Sequence, residues 1–390
     1  MTTATEIQGI CDARFAAVRG AFAENFAVRG EIGAAVAAVV DGETVVDLWG
    51  GYADPARTRP WKQDTIVNVY STTKGFTSTC AHRLVDQGLL DIDAPVAKYW
   101  PEFAQAGKED LPVRYLLSHR AGLPAVKDTI PAELGYRWEV LVDALAAQEP
   151  WWEPGTKFGY HALTFGHLVG EVIRRASGLT MGQYFRKEIA EPLGMETYVG
   201  FGPELDSRCA EMIPAGLENI DMNNPTAKAL MDPSSLTFKA FWVSPTPLID
   251  PLYMNKREWR AAELPAANGH SDARSIAKMY GALARGGEID GYRVLSAEQI
   301  DVARQEQSYG EDAILMMPMR FGLGYHLDIP ELQISPTGAI FGHAGMGGSF
   351  GYADPEKRIG IGYVMNRMMM PPDLIDPRWK PMVDAIYGSL

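Results

Sequence analysis

Both ends of the 390-residue chain carry the pattern of a β-hairpin, and this arrangement limits the folds that the chain can adopt. Near the start, the apolar runs AAVAAVV and ETVVDLW flank Asp41-Gly42, a dipeptide suited to the positive backbone angles of a tight hairpin turn. Near the end, SFGYA and RIGIGYVMN flank a DPEK turn and precede a short candidate helix, PMVDAIYG. Two β-rich ends predict one sheet that is assembled from both of them.

The middle of the chain has helical apolar spacing instead. Four segments show this spacing and end at Gly or Pro stops: DLPVRYLLSHR, ELGYRWEVLVDALAAQ, ALTFGHLVGEVIRRASG and MGQYFRKEIAEPLG. The sequence therefore predicts an α+β fold with a helical lobe inserted between the two ends. We expect residues 1–80 and 265–390 to form the α/β lobe, and residues 81–264 to form the mostly helical lobe.

Two stretches need separate interpretation. Residues Thr5 to Phe26 begin with a capping-box pattern, Thr5 with Gln8, and continue with mostly helical apolar spacing, so we predict an amphipathic helix there. Residues 218–264 are rich in Pro, Met, Asn and aromatic residues and show no sustained period. Such irregular segments are often binding loops or lids, and equally often they only cover core; here we expect either a pocket-covering segment or a plain loop.

Charge and composition exclude several classes of partner. The formal net charge of -13 and the pI near 5.1 disfavour a nucleic acid or an anionic membrane, because a polyanion is repelled by such a surface. The cysteines Cys11, Cys80 and Cys209 lack metal-type spacing and are interpreted as reduced thiols. Charged residues interrupt the N-terminal apolar stretch, and no membrane span is evident, so we expect a cytoplasmic protein that acts on a small molecule.

The most informative motif is Ser71-Thr72-Thr73-Lys74, which follows the apolar run TIVNVY. Between Asp64 and Arg83, Lys74 is the only residue with a formal charge. Serine and lysine three positions apart lie on one face of a helix, where the amine reaches the hydroxyl. Burial lowers the pKa of a lysine, which makes its amine a base for the serine. We therefore predict that Ser71 is a nucleophile at a helix start and that Lys74 activates it.

Two other serines compete for this role. Ser275 and Lys278 repeat the S-x-x-K spacing, but the apolar residues of their helix lie on another face, so both are expected to point into solvent. Ser349 lies in Gly347-Gly348-Ser349-Phe350-Gly351, which satisfies the G-x-S-x-G elbow of α/β-hydrolases. That elbow requires a later histidine, and none follows His343. We interpret Ser349 as a structural residue at a strand entry.

Two further segments accompany the Ser71 motif. Tyr160 stands at the start of an apolar helix, after a Pro154-Gly155 turn. Later, small residues from Gly342 to Gly348 allow a backbone to approach a substrate closely at a strand.

Taken in order, these segments resemble the serine β-lactamase and penicillin-binding-protein superfamily. Its elements S-x-x-K, Y-x-N and K/H-x-G stand here as Ser71-Thr72-Thr73-Lys74, Tyr160-His161-Ala162 and His343-Ala344-Gly345. The likeness covers most of the chain and is greatest to family VIII carboxylesterases, which share the class C β-lactamase fold. The resemblance implies a β-lactamase/transpeptidase-like fold, in which helices flank an antiparallel sheet, and a reaction through an acyl-serine.

The resemblance also implies roles for individual residues. Ser71 would be the nucleophile, Lys74 and Tyr160 would share general-base and general-acid duties, and a Lys74 ammonium would stabilise a Tyr160 anion. The backbone N–H groups of Ser71 and Met346 would form the oxyanion hole. His343 would line the site with Ala344 and Gly345.

Two departures from the family pattern favour uncharged esters over β-lactams. Ala162 replaces the asparagine that penicillin-recognising enzymes commonly carry, and His343 replaces a lysine that would hold a substrate carboxylate. The sequence therefore predicts a carboxylesterase that acts on short to medium acyl esters. The alternatives are a β-lactamase, a D-amino-acid amidase or peptidase, an acyltransferase, or a non-catalytic ligand-sensing member of the fold.

The remaining histidines and the aromatic residues complete the set of candidates. The histidines show no metal-binding pattern, are interpreted as structural, and lead us to expect neither a metal nor a cofactor: His82, His119, His161, His167, His270 and His326. Several aromatic residues are candidates for a pocket wall: Trp151, Trp152, Phe238, Phe241, Trp242 and Trp259. Among them Trp242 is the preferred candidate, because it lies in the irregular segment. The oligomeric state does not follow from the sequence.

Overall fold

The computed structural model of the chain describes residues 5–216, 223–242, 250, 252–370 and 376–390. Parts of the predicted irregular segment, residues 218–222, 243–249 and 251, lie outside the described residues. None of the helices in the described ranges is long and apolar enough to cross a membrane.

One antiparallel sheet of nine strands forms the centre of the fold, in the order β1-β3-β2-β13-β12-β11-β10-β9-β8. Two separate two-stranded ribbons, β4 with β5 and β6 with β7, accompany it. The strands are β1 Ile7–Cys11, β2 Gly33–Val40, β3 Glu43–Gly51, β4 Val67–Asn68, β5 His270–Ser271, β6 Glu288–Ile289, β7 Tyr292–Arg293, β8 Ser308–Glu311, β9 Pro318–Phe321, β10 His326–Leu327, β11 Phe341–Ala344, β12 Phe350–Asp354 and β13 Ile359–Met365.

The two chain ends meet in the middle of this sheet. Strand β2, from the first hairpin, pairs with β13, from the last hairpin, in an antiparallel register that runs from Ile359 opposite Val40 to Met365 opposite Ala34. Almost every residue of both strands is buried, which explains their continuous apolar runs. The predicted α+β fold with an antiparallel sheet built from both ends is confirmed.

Helices cover the sheet and fill the region between its two contributing segments. The α-helices are α1 Ala16–Val28, α2 Thr73–Asp86, α3 Val113–Leu117, α4 Trp138–Ala147, α5 Thr164–Ser177, α6 Met181–Phe185, α7 Glu191–Leu193, α8 Pro225–Met231, α9 Leu236–Phe241, α10 Arg257–Ala261, α11 Ala273–Ala284, α12 Ala297–Ala303 and α13 Trp379–Tyr387. A π-helical turn, Arg186–Ala190, joins α6 to α7. The 3₁₀ turns are Ala13–Phe15, Tyr70–Thr72, Val96–Lys98, Pro101–Phe103, Ala132–Leu134, Pro203–Arg208, Tyr253–Asn255 and Pro330–Leu332.

The prediction of one helix from Thr5 to Phe26 is wrong in its first part. Ile7–Cys11 forms β1, an edge strand that pairs with β3, and the helix begins only at Ala16. Without β1, strand β3 would expose unpaired backbone N–H and C=O groups at the edge of the sheet. Pairing with these groups outweighs the local helical pattern of residues 7–11. Arg19 of α1 donates hydrogen bonds to the carbonyls of Ile7 and Gly9, which ties the helix to the strand.

The described parts of the irregular segment contain three short helices, α8, α9 and α10. Each has only five to seven residues, which is too short to produce a detectable helical period. Side-chain caps begin two of them: Asn224 accepts from the Ala227 N–H, and Ser235 accepts from the Phe238 N–H.

Candidate active site

Ser71 lies in a sharp turn between strand β4 and helix α2. The 3₁₀ turn Tyr70–Thr72 contains it, and α2 begins at Thr73. Tyr70 has a φ of +43°, a left-handed conformation that is costly for a bulky side chain. Backbone strain of this kind clusters at functional sites, and here it immediately precedes the predicted nucleophile.

Lys74 is completely buried beside Ser71, as its isolation in an uncharged stretch predicts. Its Nζ lies 3.1 Å from the Ser71 Oγ, 2.7 Å from the Ala162 carbonyl oxygen and 3.1 Å from the Ala266 carbonyl oxygen. Burial lowers the pKa of Lys74 well below the ordinary value. Within the described ranges, no carboxylate forms an ion pair with this amine that would offset the effect.

Tyr160 reaches the same serine from the loop before α5. It is buried, its hydroxyl shares a hydrogen bond with Ser71, and its ring lies 4.7 Å from the Lys74 Nζ. Burial raises the pKa of the Tyr160 hydroxyl, and the hydrogen bond with Ser71 only partly offsets this. The two pKa directions favour a neutral amine beside a neutral phenol, rather than the expected ammonium beside a tyrosine anion.

The loop Gly345–Ser349 brings Met346 to the other side of the cavity. It begins where β11 ends and packs against the turn that holds Ser71: a Cβ on Gly345 would lie 2.2 Å from the Val69 carbonyl oxygen. Only a glycine permits this approach. The Met346 N–H donates to no protein acceptor among the described residues, so it is available to a ligand.

A cavity of about 180 Å³ opens beside Ser71. Its lining is largely apolar and includes five methionines: Ser71, Tyr160, Asn224, Thr226, Ala227, Leu230, Phe241, Leu315, Met317, Met319, His326, Ala344, Gly345, Met346, Gly347, Gly348, Met369, Met370, Asp376 and Trp379. Among the described residues, the lining contains no lysine or arginine and a single carboxylate, that of Asp376. Asp376 is held in a buried ion pair by Arg378 at 2.5 Å.

Five predicted site residues line this cavity, whereas Lys74, His343 and Trp242 do not. Ser71, Tyr160, Ala344, Gly345 and Met346 line it, whereas Lys74 contacts Ser71 from behind.

Two predictions require correction. His343 is buried and lies outside the lining, with its ring centroid 3.8 Å from that of His326. His326 takes the expected place in the lining. Trp242 is not in the lining either; the preceding aromatic residue, Phe241 of α9, is.

The rival serines are both buried in structural roles. The prediction that Ser275 points into solvent is wrong. Ser275 is 3% exposed and accepts a hydrogen bond from the Glu196 N–H at 2.8 Å. Lys278 is partly exposed and pairs with Asp290 at 2.7 Å. Ser349 is completely buried and donates to the Val69 carbonyl at 2.7 Å.

Sequence reasoning missed two residues that shape the site. His326 was taken as structural, although it follows a glycine-rich stretch that can bring a strand close to a ligand. Asp312 accepts hydrogen bonds through one carboxylate oxygen from the backbone N–H groups of Tyr160, Ile314 and Leu315. An aspartate just before an apolar run is a signal for such a turn, but nothing local indicates that Tyr160 shares it.

The described part of the chain has no cluster of three or more His, Cys, Asp or Glu side chains that could hold a metal ion. The site is thus built from a serine, an amine, a phenol and backbone N–H groups. This set can perform nucleophilic acyl transfer.

Comparisons with known proteins give the relatives of this chain. A family model described as Beta-lactamase matches residues 18–380. The Mycobacterium tuberculosis protein described as esterase/beta-lactamase LipL is 40% identical over 375 residues, which make up 93% of this chain and 83% of that relative.

Solved structures match over nearly the whole chain. One described as a family VIII carboxylesterase has 44% identity and a TM-score of 0.89, and the match covers 99% of this chain and 100% of the other. A penicillin-binding protein homologue from Caulobacter crescentus has 38% identity and a TM-score of 0.87, again over 99% and 100% of the two chains.

Proposed function

The chain belongs to the Beta-lactamase family and is a serine hydrolase, and we propose that it is a carboxylesterase that hydrolyses short to medium acyl esters through an acyl-Ser71 intermediate. The observation that carries this proposal is the contact between the Ser71 hydroxyl and the buried Lys74 amine, beside a largely apolar cavity. The descriptions of LipL and of the family VIII structure support an ester substrate.

Lys74 acts as the general base in its neutral form. A neutral amine has two hydrogens and one lone pair, and the Ala162 and Ala266 carbonyls lie where they accept the two hydrogens. The lone pair is left for the Ser71 proton, 3.1 Å away. An ammonium in the same place would have no lone pair to offer, so the lowered pKa of Lys74 is what gives the residue its role.

In the acylation step, each change in bonding at the ester carbonyl is accompanied by the transfer of one proton. The Ser71 oxygen attacks the ester carbonyl carbon while its proton passes to Lys74, and the backbone N–H groups of Ser71 and Met346 stabilise the resulting oxyanion. When the bond to the alcohol oxygen breaks, Tyr160 donates its proton to that oxygen and regains one from Lys74. Water then attacks the acyl-Ser71 carbonyl by the same route and releases the carboxylic acid.

The cavity favours acyl groups without charge. The part of its wall that the structure describes offers no lysine or arginine to a substrate carboxylate, and Asp376 is already paired with Arg378. A carboxylate that entered this cavity would lose its hydration without gaining a partner. His343, which stands where a lysine holds such a carboxylate in related enzymes, is buried and uncharged because burial lowers the pKa of its imidazole.

A matched pair of substrates tests this proposal. We expect hydrolysis of p-nitrophenyl butyrate, and a kcat/KM for p-nitrophenyl hemisuccinate that is lower by about tenfold or more, because the two acyl chains have similar length and differ in the terminal carboxylate. Ser71→Ala should lower kcat/KM for the butyrate by about 10,000-fold or more while the circular dichroism spectrum is unchanged. Full activity in that variant would eliminate Ser71 as nucleophile.

The same preparations separate the alternatives. Turnover of nitrocefin comparable to that of the butyrate would favour a β-lactamase, faster turnover of D-amino-acid amides would favour an amidase, and ester products formed with added alcohol would favour an acyltransferase. A fluorophosphonate probe addresses the non-catalytic alternative, because a ligand-sensing protein should not be labelled at Ser71. Mass spectrometry of the labelled protein, with Ser71→Ala as control, gives the answer.

A further inference from the structure

Ser349, the serine of the G-x-S-x-G sequence, connects the two backbone segments that would form the oxyanion hole. Its Oγ lies 2.7 Å from the Val69 carbonyl oxygen and 3.1 Å from the Thr72 Oγ1. Val69 precedes the turn that presents the Ser71 N–H, Thr72 ends that turn, and Ser349 ends the loop that presents the Met346 N–H. One buried hydroxyl therefore spans both segments.

The direction of these hydrogen bonds follows from their chemistry. The Val69 carbonyl can only accept, so Ser349 donates its single hydroxyl hydrogen to it. Thr72 must then donate to the Ser349 oxygen. The Val69 carbonyl also accepts from the Thr72 N–H at 3.1 Å, which closes the turn around Ser71. The three groups form one closed network with no spare donor.

The outer side of the loop is also fixed. Arg378 donates to the Gly347 carbonyl at 2.7 Å, and the Trp379 Nε1 donates to the Gly348 carbonyl at 2.7 Å. Arg378 is completely buried and is itself held by Glu31 and Asp376. Since the outer side is anchored to the body of the protein, the contact made by Ser349 sets how closely the loop approaches the Ser71 turn.

We propose that Ser349 is a positioning residue for the oxyanion hole: its hydroxyl sets the separation between the Ser71 N–H and the Met346 N–H. This inference rests on the proposed acyl-Ser71 reaction. Donors aimed at an oxyanion contribute mainly in the transition state, and their contribution falls steeply when they are displaced. Loss of the Ser349 hydroxyl should therefore act on kcat much more than on KM.

The test compares Ser349→Ala with Ser275→Ala. Ser275 is also a buried serine with a hydrogen bond to the backbone, but it is remote in sequence from the loop and bonds to Glu196, so its loss reproduces the structural cost alone. For p-nitrophenyl butyrate, we expect Ser349→Ala to lower kcat by about 10- to 100-fold with KM changed less than about threefold, and Ser275→Ala to leave both constants near those of the wild type.

A transition-state analogue supplies the second readout. A trifluoromethyl ketone forms a bond from its carbonyl carbon to the Ser71 oxygen, the Ser71 proton passes to Lys74, and the ketone oxygen becomes the oxyanion. Its affinity should fall in Ser349→Ala by about the same factor as kcat/KM. Ser349→Thr keeps the hydroxyl and should recover most of the loss.

The outcomes separate this inference from the proposed function. A wild-type protein without esterase activity would overturn the proposed function. An active wild type with Ser349→Ala at the same kcat and the same ketone affinity would overturn only the role of Ser349. If Ser349→Ala does not fold, Thr72→Val replaces it in the test, because this variant removes the hydroxyl that donates to Ser349. A kcat of Thr72→Val equal to that of the wild type would contradict the inference.

Discussion

The S-x-x-K spacing occurs twice in this chain, and the two copies lie in opposite surroundings. Ser71 and Lys74 lie at the N-terminal end of α2, where they contact each other beside the cavity. Ser275 and Lys278 stand in α11, where the serine is buried against Glu196 and the lysine turns outward to Asp290. The same four-residue pattern thus gives a serine–lysine contact in one place and two unrelated structural contacts in the other.

The two copies differ in the groups that the Lys74 and Lys278 amines contact. Lys74 contacts two neutral backbone carbonyls and a hydroxyl. Burial lowers its pKa, and no carboxylate among the described residues pairs with it. Lys278 meets a carboxylate at 2.7 Å, with 31% of its side chain exposed. A lysine that activates a serine must lack a carboxylate partner that would keep the amine protonated. Placing the two residues three positions apart is not sufficient.

The largest expected effect comes from removing the two lysines in parallel. Lys74→Met should lower kcat/KM for p-nitrophenyl butyrate by roughly 1,000-fold, because the general base is lost. Lys278→Met should change kcat/KM by less than about twofold and the free energy of unfolding by at most about 1 kcal/mol, as expected for a partly exposed ion pair. Equal losses in both variants would show that the environment of Lys74 is not what distinguishes the copies.

A second expected effect concerns Tyr160, since among the described residues the Ser275 hydroxyl bonds to a backbone N–H and not to a tyrosine. Tyr160→Phe keeps the ring over Lys74 but removes the hydroxyl that would protonate the leaving alcohol, so kcat should fall by about 100-fold. The loss should shrink for esters with a good leaving group such as p-nitrophenol and grow for alkyl esters. A loss that does not depend on the leaving group would contradict the assignment of Tyr160 as the acid.

The pH dependence sharpens the contrast further. The neutral amine is the active form, so kcat/KM should fall as the pH drops through the lowered pKa of Lys74 and stay level above it. We therefore expect a plateau that begins at a lower pH than for an ordinary lysine, whose kcat/KM would keep rising about tenfold per pH unit up to about pH 10. Burial lowers the pKa of His326 to about 3, so this cavity residue should add no step near pH 6.5.

The smallest expected effect on activity belongs to Ser275→Ala. The variant should keep its kcat/KM within about twofold and lose about 1 to 3 kcal/mol of unfolding free energy, because the Glu196 N–H loses its buried acceptor. Urea denaturation followed by circular dichroism measures this. A large loss of activity without a loss of stability would mean that the second copy has a chemical role after all.

Local patterns were sufficient for much of the fold. The Asp41-Gly42 and DPEK turns, with their flanking apolar runs, identify strands that the structure places side by side as β2, β3, β12 and β13. The same patterns failed for Ile7–Cys11, because an edge strand is stabilised by its neighbour and not by its own sequence. They also failed for α8 and α9, which are too short to show a period.

The candidate site divides in the same way. Ser71, Lys74 and Tyr160 stand out in the sequence through their motifs, and the structure brings all three together. His326 and Asp312 do not, because their importance depends on what lies across from them, and Phe241 is only one of several aromatic candidates. His343 was expected in the lining but is buried outside it, which its motif does not reveal.

The sequence by itself determined that a sheet joins the two chain ends, that Ser71 and Lys74 share a helix face, and that no charge lies near them along the chain. These are properties of residues within a few positions of one another. The tertiary structure decided the burial that lowers the pKa of Lys74, whose amine contacts the Ala266 carbonyl 192 positions away. It also decided the bonds of Ser349, whose acceptor at Val69 lies 280 positions away. Burial and hydrogen bonding between distant segments exist only once the chain has folded, and they are what turns a short motif into a reactive group.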